Sequence, residues 1–409
     1  MTVFTYQARD ASGKRVHGTL EAHSRTELAD KLSRMGYMPT QVAEGSSAFR
    51  FESFFEGIRR VGSEEMILFY IELSNLIHAG ISLLASLDTL AKQIENKKLR
   101  EAVGDLSRNV ESGLSFSEAL SREPRLFSRL FLNMVRAGEA SGKLDTILMR
   151  YAAYAEEQAE MRQKIQGALF YPSILLAAGI GVTLLIVTFI IPQFAEIFVR
   201  TGIELPLPTW VLYRLGMGLK QFWVSIILFA LAGGLGLQYY ATTTGGRMRL
   251  DRLKLKLPLF GPLARKVAIS RFGRTFGMLL SAGVPILDSL EMVRAVVGNE
   301  VLGRVLENVR EAVEKGGRIS ESLAISGEFP PDTIQMTAVG EETGKLDEML
   351  NKIADIYDRA VGYAVKKLTT LLEPLLLILM GCMVGFIMGS MLLPMFDMMK
   401  VLRTARPGF

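Results

Sequence analysis

The chain has 409 residues, 49% hydrophobic and 22% charged, with Lys and Arg exceeding Asp and Glu by five. That length holds two or three domains with real cores, and the apolar share excludes a disordered chain and an ordinary soluble composition. A single cysteine, Cys382, excludes an intramolecular disulfide framework and a Cys-rich metal site, and His17, His23 and His78 show no metal-ligand spacing.

Residues 1–42 read as a small α+β module. The start is polar (Thr2, Thr5, Gln7, Arg9, Asp10), with no basic stretch leading into an apolar run. No cleavable signal peptide is therefore expected, and the module is expected to begin in the cytoplasm. Residues 4–8 and 16–22 alternate as strands around Asp10-Ala11-Ser12-Gly13, a hairpin turn signal. Ser24 with Glu27 makes a capping box, opening a helix that should stop near Gly36. Residues 37–42 could return as a third strand, and 43–62 read as a linker.

Beyond the linker the chain repeats itself. Ala79-Gly80-Ile81 recurs as Ala282-Gly283-Val284, and Glu111, Gly113, Ser117, Glu118 and Leu120 recur as Glu314, Gly316, Ser320, Glu321 and Leu323, all at an offset of 203. One residue is then lost. At 202, Gly138-Glu139-Ala140-Ser141-Gly142-Lys143-Leu144-Asp145 recurs as Gly340-Glu341-Glu342-Thr343-Gly344-Lys345-Leu346-Asp347, Pro172 as Pro374, and Pro192 as Pro394. Agreement at one spacing over more than a hundred residues marks a tandem duplication. Met66, Phe69, Tyr70, Leu73 and Ile77 form a helical stripe, echoed by Phe272, Phe276 and Leu280. Gly80 and Gly283 sit where a helix end wants positive φ, and Pro285 suits the first turn of the next helix. Each copy is predicted to be a bundle of about six helices, over 63–171 and, with a basic leading segment, over 244–370.

Three apolar stretches are predicted to span a membrane, 172–195, 221–243 and 371–397, the last uncharged from Pro374 to Phe396. Trp223 and Tyr239-Tyr240 flank the second as interfacial anchors. The repeat places both bundles in one compartment, so the middle span returns the chain. Residues 247–274 carry nine Lys or Arg against one acid, Asp251, which assigns the bundles to the cytoplasm. The loop 196–220 and the tail 398–409 then fall in the periplasm, although Lys400, Arg403 and Arg406 in the tail run against that rule. The expected class is thus mainly α: an integral membrane protein with two tandem cytoplasmic bundles, three transmembrane helices and a small α+β module.

Pro172 and Pro374 stand where each bundle's last helix would enter the bilayer, and are predicted to kink it there. Residues 138–145 and 340–347 look most like chemistry, yet they lack the spacing and the hydroxyl of a phosphate loop. The structural reading is a helix elbow. Glycine stops one helix, Ser141 or Thr343 caps the next, and Asp145 or Asp347 occupies its first turn. The alternatives are an elbow that contacts a partner, through Gly138, Glu139, Gly142, Leu144, Asp145, Gly340, Glu341, Gly344, Leu346 and Asp347, or a weak cation site on Glu139 and Asp145. No catalytic constellation and no cofactor motif is present. His78 reads as a packed or capping side chain, and Glu373, whose counterpart is Tyr171, as an interfacial one. The positive excess forms no basic face interleaved with aromatics, so nucleic acid is not an expected partner.

The doubled Gly-Glu-x-x-Gly-Lys-Leu-Asp elbow, Ala168-Leu169-Phe170-Tyr171-Pro172, Ile191-Pro192-Gln193-Phe194 and Leu371-Leu372-Glu373-Pro374-Leu375-Leu376 resemble the type II secretion protein F family, which includes PilC-type platform proteins of type IV pilus assembly. The resemblance covers essentially the whole chain. It implies a non-enzymatic, homo-oligomeric inner-membrane platform that couples a cytoplasmic hexameric assembly ATPase to polymerisation of pilins or pseudopilins. It also implies contacts with other inner-membrane assembly proteins and the lipid bilayer, and needs no cofactor. Pro192-Gln193-Phe194 leans toward the pilus branch. The competing reading is a repeat-containing transporter of small solutes.

Overall fold

The computed structural model describes residues 2–9, 15–22, 24–44, 61–200, 205–258 and 260–404. The predicted hairpin turn and most of the predicted linker lie outside these residues. The chain divides into two compact units, residues 1–69 with 82–114, and residues 70–81 with 115–409.

The first unit begins with strands β1 (Thr2–Arg9), β2 (Arg15–Ala22) and β3 (Met38–Glu44), and helix α1 (Arg25–Arg34). β1 lies centrally, antiparallel to both neighbours, with Phe4 opposite Leu20. Ser24 Oγ accepts from the Glu27 N–H at 3.2 Å and opens α1. Leu28 and Leu32, one turn apart, pack with Ala8 and Ala22, and Leu20 and Tyr37 close the cluster. The unit also holds the start of α2 (Ser63–His78), and all of α3 (Leu83–Gln93) and α4 (Lys97–Glu111). Leu87, Leu90, Leu99, Val103 and Leu106 are buried at helical spacing. Asn96 caps α4 by accepting from the N–H groups of Lys98 and Leu99, and its amide donates to Glu65 Oε2 at 2.8 Å.

The second unit contains α5 (Phe116–Ser121), α6 (Arg129–Ser141), α7 (Leu144–Leu185), a π-helical turn (Ile186–Ile190), α8 (Ile191–Arg200) and α9 (Leu207–Thr242). It continues through α10 (Thr244–Lys256), α11 (Gly261–Ser281), α12 (Ile286–Val296), α13 (Glu300–Glu314), α14 (Ile319–Ser326), α15 (Pro331–Thr343) and α16 (Leu346–Thr404). The duplication is visible in the helix bounds. α3 and α4 begin and end 203 residues before α12 and α13, and α6 begins and ends 202 before α15. Gly80 and Gly283 have φ of 85° and 80°. Pro285 stands one residue earlier than predicted, as the N-cap of α12.

The copies fill their cores differently. Tyr70, Phe131 and Tyr151 form a triad with ring centroids 4.6–4.8 Å apart in copy one. The copy-two counterparts of Phe131 and Tyr151 are Thr333 and Ile353, both fully buried, and Phe272 there packs against Phe276 and Phe329.

Three helical stretches are long and apolar enough to cross a membrane, Leu144–Phe198, Leu207–Thr242 and Leu346–Phe396. Two of them are bundle helices that never stop. α7 has 42 residues and α16 has 59, roughly 60 and 90 Å of helix against a hydrocarbon layer of ~30 Å. The segment expected as loop 196–220 is mostly helix, because α8 continues to Arg200 and α9 already starts at Leu207. Pro206 and Pro208 start α9, since proline fits a first turn whose N–H groups lack partners anyway.

The spans meet at one end. Val187, Ile191, Leu212 and Ile387 form a buried cluster, and Thr209 donates to the Ser390 carbonyl. Pro192 removes the N–H that Thr188 would use, and the turn before it widens into the π form; Pro394, its counterpart, is absorbed within α16 without one. Gly216 lies directly against the Val187 carbonyl of that turn, where a Cβ would collide with backbone, whereas a Cβ on Gly179 meets only the flexible end of Met380. Gly216→Ala should therefore destabilise the purified protein by about 1–3 kcal/mol and Gly179→Ala by much less, read as thermal midpoints in detergent.

Candidate functional site

The two elbows share one construction. α6 ends at Gly142, φ 68°, and α15 at Gly344, φ 69°. The Lys143 N–H donates to the Gly138 carbonyl at 2.9 Å, and the Lys345 N–H to Gly340 at 3.0 Å. This closure needs a left-handed residue between, hence the second glycine of each motif. The first glycine has another purpose. Gly138 and Gly340 are buried in the last turn of α6 and α15, and a Cβ there would lie 3.3 Å from the Leu144 Cα or 2.9 Å from the Leu346 Cα. Hydrogen at that position lets α6 close on α7 and α15 on α16. Leu144 and Leu346 open the long helices, with Asp145 and Asp347 in their first turns. Asp347 also accepts from Ser281 Oγ at 3.0 Å.

The glutamate reaches back to an earlier helix. Glu139 Oε1 accepts from the Phe116 N–H at 2.6 Å and Oε2 from the Ser117 N–H at 3.2 Å. Ser115 and Glu118 form a capping box at the same terminus. Together these groups satisfy the N–H of Ser115, Phe116, Ser117 and Glu118, the four that a helix start leaves without partners. The Ser115 backbone N–H, bonded to its carboxylate, holds the exposed Glu118 below the ordinary carboxylate range. In copy two Glu341 accepts from Ile319 at 2.6 Å and Ser320 at 3.0 Å, and also takes the Ser320 hydroxyl. Arg318 replaces Ser115 there and pairs with Glu342 at 3.3 Å.

One expectation is corrected. Ser141 and Thr343 do not cap the following helix, because their hydroxyls bond back to the Ala137 and Val339 carbonyls one turn earlier, at 2.8 and 2.7 Å. The N-cap of α7 is Lys143, which supplies no side-chain bond. The elbow carboxylates are engaged elsewhere. Both Glu139 oxygens already accept from backbone, and among the described residues no group of three His, Cys, Asp or Glu side chains could hold a metal ion.

A second junction was not anticipated. Arg274 of α11, 16% exposed, lies 2.9 Å from Glu157 of α7 and 2.6 and 2.7 Å from Asp355 and Asp358 of α16. Burial opposes the Arg274 charge, but the hydrogen-bonded Asp358 and Asp355 more than restore it, and its pKa is raised. Burial pushes Glu157 upward, with Arg274 pulling against it. One turn away the Tyr154 hydroxyl meets Thr275 Oγ1 at 3.2 Å, and burial pushes that phenol up to about 12. Leu263, Val361 and Val365 extend the seam, with Met161, Ile165 and Ala168 against them. The copy-one long helix is thus fastened to the copy-two bundle until just before Pro172. The copy-one residue matching Arg274 is Ile71, a mismatch within the repeat that could have flagged it.

α7 and α16 continue through Pro172 and Pro374 as unbroken helices. Each proline leaves the carbonyl four residues earlier, Ala168 or Thr370, without its usual helical donor. A cleft of about 1020 Å³ lies beside the first elbow, between Arg129, Asn133 and Arg136 of α6 and Asp288, Glu291 and Arg294 of α12.

These features define a class: a tandem-repeat membrane protein in which each helical bundle ends in a spanning helix. The chain belongs to the type II secretion system protein F family. The family's model matches residues 69–192 and 272–394, and the model of its N-terminal domain matches residues 1–43. The chain is similar to the type IV pilus assembly protein PilC of Thermus thermophilus, at 40% identity over 98% of this chain and 99% of the relative. The PilC of Myxococcus xanthus is 33% identical, over 97% and 94%. The type II secretion system protein F of Xanthomonas campestris is 32% identical, over 97% and 99%.

If the glutamate is the elbow's fastening, Glu139→Ala and Glu341→Ala should each destabilise the protein by about 1–2 kcal/mol. Ser141→Ala and Thr343→Ala should stay within about 0.5 kcal/mol. Thermal midpoints in detergent check this, and equal losses for the serine and glutamate variants would contradict the assignment.

Proposed function

We propose that this chain is the inner-membrane platform of a type IV pilus or type II secretion machine, with both bundles in the cytoplasm. Its function is mechanical: a hexameric assembly ATPase moves the bundles, and the spans pass that movement to pilins or pseudopilins in the bilayer. The carrying observation is the unbroken course of α7 and α16 from elbow to span. A stiff helix transmits displacement over its whole length, where a loop between bundle and membrane would absorb it. The Arg274 junction supports the reading, because it makes the two long helices move together. The elbows, with Lys143 and Lys345 exposed at their tips, are surfaces the ATPase or another assembly protein could press on. The pilus branch is favoured by relatives named for pilus assembly.

The test inserts Gly-Gly-Gly after Gly167, between the bundle and Pro172, and a second insertion after Thr369 in copy two. Each variant is expected to reach the membrane and co-purify with the ATPase. Each should nevertheless lose fibre assembly or secretion in a deletion strain, with pilin precursor accumulating. Wild-type assembly by both variants would sink the mechanical reading.

A further inference from the structure

α10 follows α9 after a single intervening residue, Thr243. It carries Arg247, Arg249, Arg252, Lys254 and Lys256 and one acid, Asp251. The acid faces inward. Asp251 is almost fully buried, accepts from the Glu300 N–H at 3.0 Å and from Lys254 Nζ at 2.8 Å, and its carbonyl takes the Asn299 amide at 3.4 Å. It thereby clamps α10 to the start of α13. The opposite side is bare. Arg249, Arg252 and Lys256 recur at i, i+3 and i+7 and are exposed, with Leu253 (58% exposed) and Leu257 (42%) beside them. Neither Arg252 nor Lys256 pairs with a carboxylate among the described residues, and Arg249 reaches the Tyr240 hydroxyl in the last turn of α9 at 3.4 Å.

We propose that this face of α10 is an anionic-phospholipid surface. Arg249, Arg252 and Lys256 bind headgroup phosphates, while Leu253 and Leu257 enter the boundary between headgroups and acyl chains. Three observations carry it. The stripe is cationic with no exposed acid, so its partner is an anion. It starts about two turns beyond a span whose residues 221–240 are exposed throughout, so the phosphate layer is the nearest source of negative charge. It also mixes leucines with cations, which suits an interfacial helix and not a free phosphate ion. The buried acid then has a purpose: it turns the only negative charge of the segment away from the lipid.

The experiment uses the full chain with Cys382→Ala, an environment-sensitive fluorophore on Leu257→Cys, and nanodiscs of phosphatidylcholine with or without phosphatidylglycerol. Emission should shift to the blue as phosphatidylglycerol rises, and soluble glycerophosphoglycerol should not reproduce the shift. In R249Q/R252Q/K256Q the shift should vanish. Retention of phosphatidylglycerol by this variant in detergent, counted by native mass spectrometry, should weaken on the order of a hundredfold, from about 1 kcal/mol per charge. The R304Q/K315Q control, exposed cations of the same bundle, should retain lipid like the parent. A thermal midpoint matching the parent shows that the triple variant is folded. Identical emission in neutral and anionic discs, equal retention by the two variants, or a shift produced only by added acidic protein would overturn the proposal.

Discussion

A helix that crosses hydrocarbon cannot break inside it, because the backbone groups exposed at a break would find no partner in lipid. α7 and α16 obey that constraint by carrying their hydrogen bonds from the elbow across the span. Everything near them is arranged to aim two such helices. The buried glycines let the preceding helix close on the first turn, the left-handed glycines reverse the chain, and Glu139 and Glu341 fasten the hairpin to α5 and α14. A carboxylate accepting from two backbone N–H groups at a positive helix terminus is a directional joint, which a hydrophobic contact alone would not be.

Duplication of this joint did not produce two equal halves. Copy one packs Tyr70, Phe131 and Tyr151 together, and copy two has Thr333 and Ile353 at two of those positions. Arg274 replaces an isoleucine and gathers carboxylates from both long helices, so the second bundle holds the first bundle's span as well as its own. Between the copies α9 serves mainly to return the chain. Its first turns pack through Gly216 and Leu212, and residues 221–240 are exposed, which in a bilayer leaves lipid to cover them.

Much of this was legible in the sequence, and for definable reasons. The repeat, read at offsets of 203 and 202, reproduces the helix bounds because glycine and proline stand at the ends of the elements. The apolar stretches announced themselves by composition. Helical structure at 207–220 was missed, since Arg214 and Lys220 interrupt an apolar run without interrupting a helix. The elbow glutamate stands out in the sequence, but its bond to an earlier helix does not. Its partners lie 22 and 23 residues upstream, and no local pattern links a carboxylate to backbone groups that folding brings to it. Ser141 resembled a cap because capping residues resemble one another; only the competing carbonyl of Ala137 decides where the hydroxyl turns. Arg274 joins three helices, and that is tertiary information.

The most direct test measures whether bundle and span are one rigid rod. Spin labels on Glu160→Cys and Val182→Cys, both exposed on either side of Pro172, in a Cys382→Ala chain in nanodiscs, would report the distance along α7 by pulsed electron paramagnetic resonance. An unbroken helix predicts one narrow distribution centred at roughly 33 Å between the labelled backbone positions. A broad or two-peaked distribution, or one centred well short of that length, would mean that the helix breaks at the membrane and cannot carry movement across it.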